Sequence, residues 1–211
     1  MTTTRLIVWR HGNTDWNAAG RVQGQTDVPL NDLGRRQAAE AAQLLAALRP
    51  DAIVASDLRR AADTAGALAA LTGQTVSHDE RLRERFFGAW QGLTTAEVAE
   101  QRPDEFARWK AGQDVVGGDV ETLDDLGKRV ADGLQDAARS APGGIVVAAT
   151  HGAAARQGLG HLLGWPIEQV RTLRALQNCH WVELTQDGDR AWQMSAYNVG
   201  VFGNRPVPPA V

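Results

Sequence analysis

The sequence holds 211 residues with a formal net charge of −3, and its 43% apolar and 22% charged content matches ordinary globular proteins. That length suits a single domain over 1–211 with a full-sized core. No basic block is present, which argues against nucleic acid, and no apolar run reads as a leader or a bilayer span, which argues against a membrane and for a cytoplasmic protein.

The first element is Leu6-Ile7-Val8-Trp9, four bulky apolar residues that read as a strand buried on both faces, running into Arg10-His11-Gly12. A cation and an imidazole therefore stand at a strand's carboxyl end, the edge where open α/β sheets bind ligands, with a glycine to turn the chain. Residues 13–30 form a long polar loop carrying Trp16, Asn17, Gln23 and Gly24. Asn31 caps a helix whose apolar face is Ala38, Ala41, Ala42, Leu45 and Leu48, and Pro50 stops it.

Ala52-Ile53-Val54-Ala55 is a second buried strand, followed by Ser56 and Asp57 as capping candidates. Leu58, Ala61, Ala62, Ala65, Leu68 and Ala69 mark a helix closed by Gly73. Arg59 and Arg60 fall in its first turn, where the helix dipole disfavours cations by about 0.3–1 kcal/mol each. Either they are solvated or one of them serves an anion, to which the helix N-terminus would also offer free N–H groups.

Residues 74–77 read as a third strand. Next comes Arg81-Leu82-Arg83-Glu84-Arg85-Phe86-Phe87-Gly88-Ala89-Trp90-Gln91-Gly92. Glu84 is open to two readings: a surface carboxylate, or a carboxyl near aromatic rings whose pKa desolvation would raise towards that of a proton donor. Residues 95–112 read as helix interrupted at Pro103, and Thr122 starts another with Leu123, Leu126, Val130, Leu134 and Ala138 inward and Asp125 completing a capping-box pattern. Pro142-Gly143-Gly144 leads into a second strand that ends in His-Gly, Ile145 to Thr150 followed by His151-Gly152.

A helix over 153–163 follows, broken at Gly164-Trp165-Pro166, then a short helix over 167–173. Residues 179–184 and 190–196 form a hairpin around Asp187-Gly188, and a Pro-rich tail frays from about Gly203. The single cysteine, Cys179, reads as a buried, inert thiol in the first hairpin strand. Alternating strands and helices specify an α/β domain with a mostly parallel sheet and an antiparallel edge.

His11 and His151 share one sheet edge if their strands are parallel neighbours. His78, His161 and His180 lack that context and read as structural or surface residues. Two histidines and a carboxylate suit a transition metal, but crowding arginines would repel a cation, and no His-x-x-x-His or Asp-rich loop is present. The arginines ask for a bidentate anion, of which phosphate is the common one. A neutral imidazole is a competent nucleophile toward phosphorus, and Glu84 is the best candidate to protonate the leaving oxygen, so no metal is required.

Arg10-His11-Gly12 with Thr14 and Asn17, Ser56-Asp57-Leu58-Arg59-Arg60-Ala61, Leu82-x-Glu84 with Gly88-x-Trp90-x-Gly92, and His151-Gly152 occur in this order. The ordered set resembles the histidine phosphatase (phosphoglycerate mutase-like) superfamily across nearly the whole chain. The resemblance implies a three-layer α/β/α sandwich, His11 as phosphorylated nucleophile, Glu84 as acid and then base, and no metal or cofactor. It implies that Arg10, Arg59 and His151 hold the phosphoryl oxygens, assisted by Asn17 and Gly152, with Gln23 and Gly24 on the substrate-side loop. The partner implied is a small phosphate ester; a homodimer stays open.

Asn13 stands where many members carry Glu or Gln, and Ala153-Ala154-Ala155-Arg156 replaces the Asn-Ser-Leu-Arg common in mutases. The paired arginine of the cofactor-dependent mutases has no counterpart among Arg102, Arg108 and Lys110. Hydrolysis is therefore favoured over a mutase reaction. Arg21-Val22-Gln23-Gly24-Gln25 and Trp90-Gln91-Gly92-Leu93-Thr94 most resemble phosphatases acting on glucosyl-3-phosphoglycerate. A cofactor-dependent phosphoglycerate mutase and a catalytically dead phosphate-binding module remain the rival readings.

Overall fold

The computed structural model describes residues 2–115 and 117–201. The Pro-rich tail lies outside them. Six strands form one sheet among these residues: β1 (Thr3–Arg10), β2 (Ala52–Ala55), β3 (Val76–His78), β4 (Ile145–Thr150), β5 (Trp181–Asp187) and β6 (Gln193–Val199). Their spatial order is β3-β2-β4-β1-β5-β6. The first four are parallel, while β5 runs antiparallel to β1 and β6 antiparallel to β5. The mostly parallel sheet and the hairpin at its edge agree with the sequence reading.

The helices are α1 (Asp15–Ala18), α2 (Asp32–Ala47), α3 (Arg59–Thr72), α4 (Thr95–Gln101), α5 (Pro103–Lys110), α6 (Leu123–Arg139), α7 (Gly152–Leu162) and α8 (Ile167–Val170). Alternation along β1 divides the core in two. Leu6 and Val8 pack with Leu126, Val130, Leu134, Ala155 and Leu159 of α6 and α7. Ile7 and Trp9 face Ala38, Ala41, Leu45, Ala65 and Leu68 of α2 and α3. Helices thus cover both faces, as a continuous apolar strand demands. None among the described residues is long and apolar enough to cross a membrane.

Caps set the helix ends. Asn31 accepts the Gly34 N–H at the start of α2, Thr122 accepts the Asp125 N–H at the start of α6, and Gly73 closes α3 with a left-handed φ of 71°. Pro103 divides α4 from α5, at the first position of the second helix where its missing N–H costs nothing. The expected caps of α3 are otherwise employed. Leu58 occupies the N-cap without a side-chain bond, Ser56 meets His151, and Asp57 pairs with Arg83. Cys179 lies in the turn before β5, buried, its thiol pushed up to about 12 by desolvation.

The topology places the site. β4 enters between β2 and β1, and the helices that follow β1 and β4 lie on opposite faces of the sheet. A crevice must open between the carboxyl ends of two such strands. The register pairs Arg10 with Thr150, and the His11 N–H donates to Thr150 O at 3.0 Å, so the two histidines that follow stand level. Gly12 is required by close approach rather than by a turn. A Cβ there would lie 2.5 Å from the backbone oxygen of Gly34 on α2.

Candidate active site

His11 and His151 face each other with ring centroids 5.1 Å apart and planes tilted by 58°. Both are buried. His11 Nδ1 lies 2.7 Å from Gly12 O, an acceptor only, so Nδ1 carries the proton and Nε2 keeps its lone pair. His151 Nε2 lies 2.9 Å from Ser56 Oγ, and its Nδ1 is buried without a partner. Burial, and secondarily the charge of Arg60, hold both imidazoles well below the usual histidine range; for His11 the next contribution is Arg10. Both rings are therefore neutral near pH 7.

Arg10 and Arg60 supply the positive potential. Arg10 extends from the end of β1, where its Nη1 is anchored on Leu176 O. Arg60 is fully buried and donates to Gly24 O at 2.7 Å and Thr26 O at 2.8 Å, which fixes the loop of residues 24–26 against α3. Burial lowers its pKa to about 10, so it stays a cation at neutral pH. Each of these arginines keeps a buried Nε without a hydrogen-bond partner.

The assignment to Arg59 is overturned. The Arg59 side chain is exposed and off the cavity wall, while Arg60 lies on it. The buried face of α3 runs through residues 60, 61, 64, 65 and 68, and Arg59 belongs to the outward face with Asp63. The four-residue spacing of Arg60, Thr64 and Leu68 is the signal that identifies the inward arginine. At the α3 N-terminus the Arg59 N–H is already taken, donating to Asp27 Oδ1 at 2.8 Å.

Glu84 lies on the cavity wall, but its carboxylate is held by peptide groups rather than wedged against rings. It accepts from Ala154 N and Arg85 N at 2.9 Å and from Ala153 N at 3.2 Å, spanning the first turn of α7. Asn17 is positioned by a capping box at α1, in which Thr14 Oγ1 accepts the Asn17 N–H. Its amide oxygen is taken up by Thr14 N at 3.2 Å and Asn178 Nδ2 at 3.3 Å, leaving the NH2 end for the cavity. Gln23 is held by Thr14 Oγ1 at 3.0 Å, and Gly24, with φ 53°, follows on the same wall. Gly152 does not line the cavity. It stands beside Arg10, whose Nε would lie 3.5 Å from a Cβ placed there. Asn178, which contacts Asn17, carries no distinguishing mark in the sequence, whereas Ser56, which contacts His151, stands out there only as a cap and as the head of its motif.

The cavity itself measures about 170 Å³. Its floor holds Arg10, His11, Arg60 and Glu84, and its outer wall is Phe87, Trp90, Phe106 and Trp109 with Val22 and Val98. The rings support one another: Trp90 meets Trp109 edge-on at 6.1 Å, and Phe106 lies 5.6 Å from Trp109. Among the described residues, no three His, Cys, Asp or Glu side chains gather as a metal would need. The remaining histidines are occupied elsewhere: His180 contacts Asn198 O, His161 stands beside Asp124, and His78 is exposed on β3.

The neutral imidazoles make stability pH-dependent. In the folded protein His11 and His151 resist protonation, whereas in the unfolded chain they protonate near about pH 6.5. The unfolded state thus binds more protons below that value, and stability falls as the pH drops. We expect the thermal midpoint to decline between about pH 6.5 and 5, before most carboxylates titrate. The decline should flatten in His11→Asn/His151→Asn; an equal slope in that variant would contradict the buried neutral pair.

Comparison with known proteins supplies the family. A family model described as the histidine phosphatase superfamily (branch 1) matches residues 6–200. The glucosyl-3-phosphoglycerate phosphatase of Mycolicibacterium vanbaalenii is 38% identical over 94% of this chain and 96% of its own length. The metal-independent phosphoserine phosphatase of Arabidopsis thaliana is 38% identical over 72% of this chain and 66% of its own. A mycobacterial glucosyl-3-phosphoglycerate phosphatase solved with VO3 superposes with a TM-score of 0.85 at 35% identity, covering 93% of this chain and all of that one.

Proposed function

This chain belongs to branch 1 of the histidine phosphatase superfamily, and from that membership we propose that it hydrolyses small phosphate monoesters through a phosphohistidine, without a metal. The observation that carries the reading is that Arg10 and Arg60, each with a buried Nε lacking a partner, line the cavity with His11, and that the His151 ring, its Nδ1 likewise unpartnered, stands 5.1 Å from the His11 ring. Buried donors left without acceptors are costly, by about 1–3 kcal/mol each, and an anion with three equatorial oxygens satisfies them together.

His11 Nε2 attacks phosphorus and the P–O bond to the leaving group breaks. The cations and His151 take the charge on the equatorial oxygens, a stabilisation set up before the reaction begins. Ser56 Oγ accepts the Leu58 N–H, so its own proton is free for His151 Nε2, which leaves Nδ1–H to donate to the phosphoryl group. Glu84 in its protonated form gives its proton to the leaving oxygen. It then takes one from the water that attacks the phosphohistidine, releasing inorganic phosphate and free His11.

The outer wall supports hydrolysis over phosphoryl return. A second phosphate needs a cation there, yet the wall is four aromatic rings, and Arg21 at its rim is turned to Gly92 O and Glu97. Aromatic faces suit the C–H face of a sugar or another apolar leaving group. The relatives make glucosyl-3-phosphoglycerate the first substrate to test, with phosphoserine beside it, and 3-phosphoglycerate probes the mutase alternative. Phosphate release should outpace formation of any isomerised ester; the opposite order would favour a mutase, and no turnover of any ester, p-nitrophenyl phosphate included, would favour a binding module. Glu84→Gln should reduce turnover of alkyl phosphates by about 10²-fold or more while sparing p-nitrophenyl phosphate, whose leaving group needs little protonation. Equal losses on both would count against Glu84 as the acid.

A further inference from the structure

We infer that Arg129, on α6 and outside the cavity, is a positioning residue that sets the geometry of Glu84. This inference rests on the reading of Glu84 as proton donor. All five N–H groups of the Arg129 guanidinium are engaged. Nη1 donates to Arg81 O at 2.8 Å and Arg83 O at 2.7 Å, and Nη2 donates to Glu84 O at 2.8 Å. The remaining two go to Glu121: Nε to Oε1 at 2.5 Å and Nη2 to Oε2 at 2.8 Å. Glu121 Oε2 also accepts the Phe86 N–H at 3.0 Å, and its backbone oxygen accepts Arg85 Nε at 2.7 Å.

One side chain and its carboxylate partner thereby hold the backbone of residues 81–86 at four points, and the Arg85 side chain ties the segment once more to Glu121. That segment has no sheet or α-helical ladder of its own: a single 3-10 turn, Glu80–Leu82, ends where it begins. Its carbonyls point inward, and no continuous secondary structure is present to satisfy them. The Glu84 carboxylate meets the first turn of α7, which packs on α6. Arg129 therefore couples the two ends of the Glu84 residue, its backbone and its carboxylate, to one helix pair. A lysine carries three donors on a single nitrogen and cannot span three carbonyls and a carboxylate. Proton donation to a leaving oxygen is sensitive to small displacements, so the position of this backbone enters the rate.

The test compares Arg129→Lys and Arg129→Met with Glu84→Gln on aryl phosphates of graded leaving-group pKa and on one alkyl phosphate. Arg129→Met should lose about tenfold or more kcat on the alkyl ester with little change on p-nitrophenyl phosphate, and with KM nearly constant. Arg129→Lys should recover part of the loss, and the Glu84→Gln/Arg129→Met pair should be no worse on the alkyl ester than Glu84→Gln alone. A uniform loss across leaving groups in the Arg129 variants, or a lowered thermal midpoint with an unchanged leaving-group profile, overturns the inference and leaves Arg129 as a structural clamp. If Glu84→Gln itself has no leaving-group dependence, it is the proton-donor reading that fails. Should Arg129→Met not fold, Glu121→Gln, which keeps the shape and loosens the clamp, replaces it; an unaltered leaving-group profile there overturns the inference equally.

Discussion

His11→Asn should abolish phosphomonoesterase turnover, with losses of about 10⁴-fold or more on every ester. The replacement is chosen for geometry. An asparagine NH2 can keep the donation to Gly12 O that His11 Nδ1 makes, so the loop stays placed while Nε2 disappears. Because the nucleophile is lost, not the acid, activated and unactivated leaving groups should suffer alike, unlike in Glu84→Gln. The wild-type protein quenched in alkali during turnover should retain an acid-labile phosphoryl group that His11→Asn lacks. Residual turnover above about 1% of wild type, with the protein folded, would contradict attack by His11.

Arg60 and Arg59 should behave as opposites although they are neighbours. Arg60→Lys keeps a charge but loses the planar fork, so it should cost about 10²–10³-fold in kcat/KM and weaken inhibition by inorganic phosphate. Arg59→Met should change either quantity less than about twofold, because an exposed side chain off the cavity wall touches no reacting atom. Arg60→Met is a poorer probe, since Gly24 O and Thr26 O would lose their donor and the loop that carries Gln23 would loosen. Thermal melts of both variants separate the two effects. A large loss in Arg59→Met with Arg60→Lys near wild type would restore the original assignment.

This pair also illustrates how much of the site is legible in one dimension. Both arginines lie in the first turn of α3, and the dipole argument applies to either. Only the direction of the buried face separates them, and that follows from Thr64 and Leu68 at four-residue intervals from Arg60. Glu84 is a different case. Its neighbours in sequence are Phe86, Phe87 and Trp90, which invite an apolar setting, yet its carboxylate is held by the peptide N–H groups of Ala153 and Ala154, almost seventy residues away. Ser56 likewise reads locally as a cap and serves instead as the partner of His151.

Periodicity and composition determined the elements: continuous apolar strands, helices with one apolar face, and two strands that end in His-Gly. Those features are local, because burial on two faces or one imposes its pattern directly on neighbouring residues. Which surfaces meet was decided only in three dimensions. The insertion of β4 between β2 and β1 brings His151 to 5.1 Å from His11, and the docking of α6 on residues 81–86 gives Arg129 its three carbonyls. Contacts between distant segments depend on layer order and register, and no spacing along the chain encodes them.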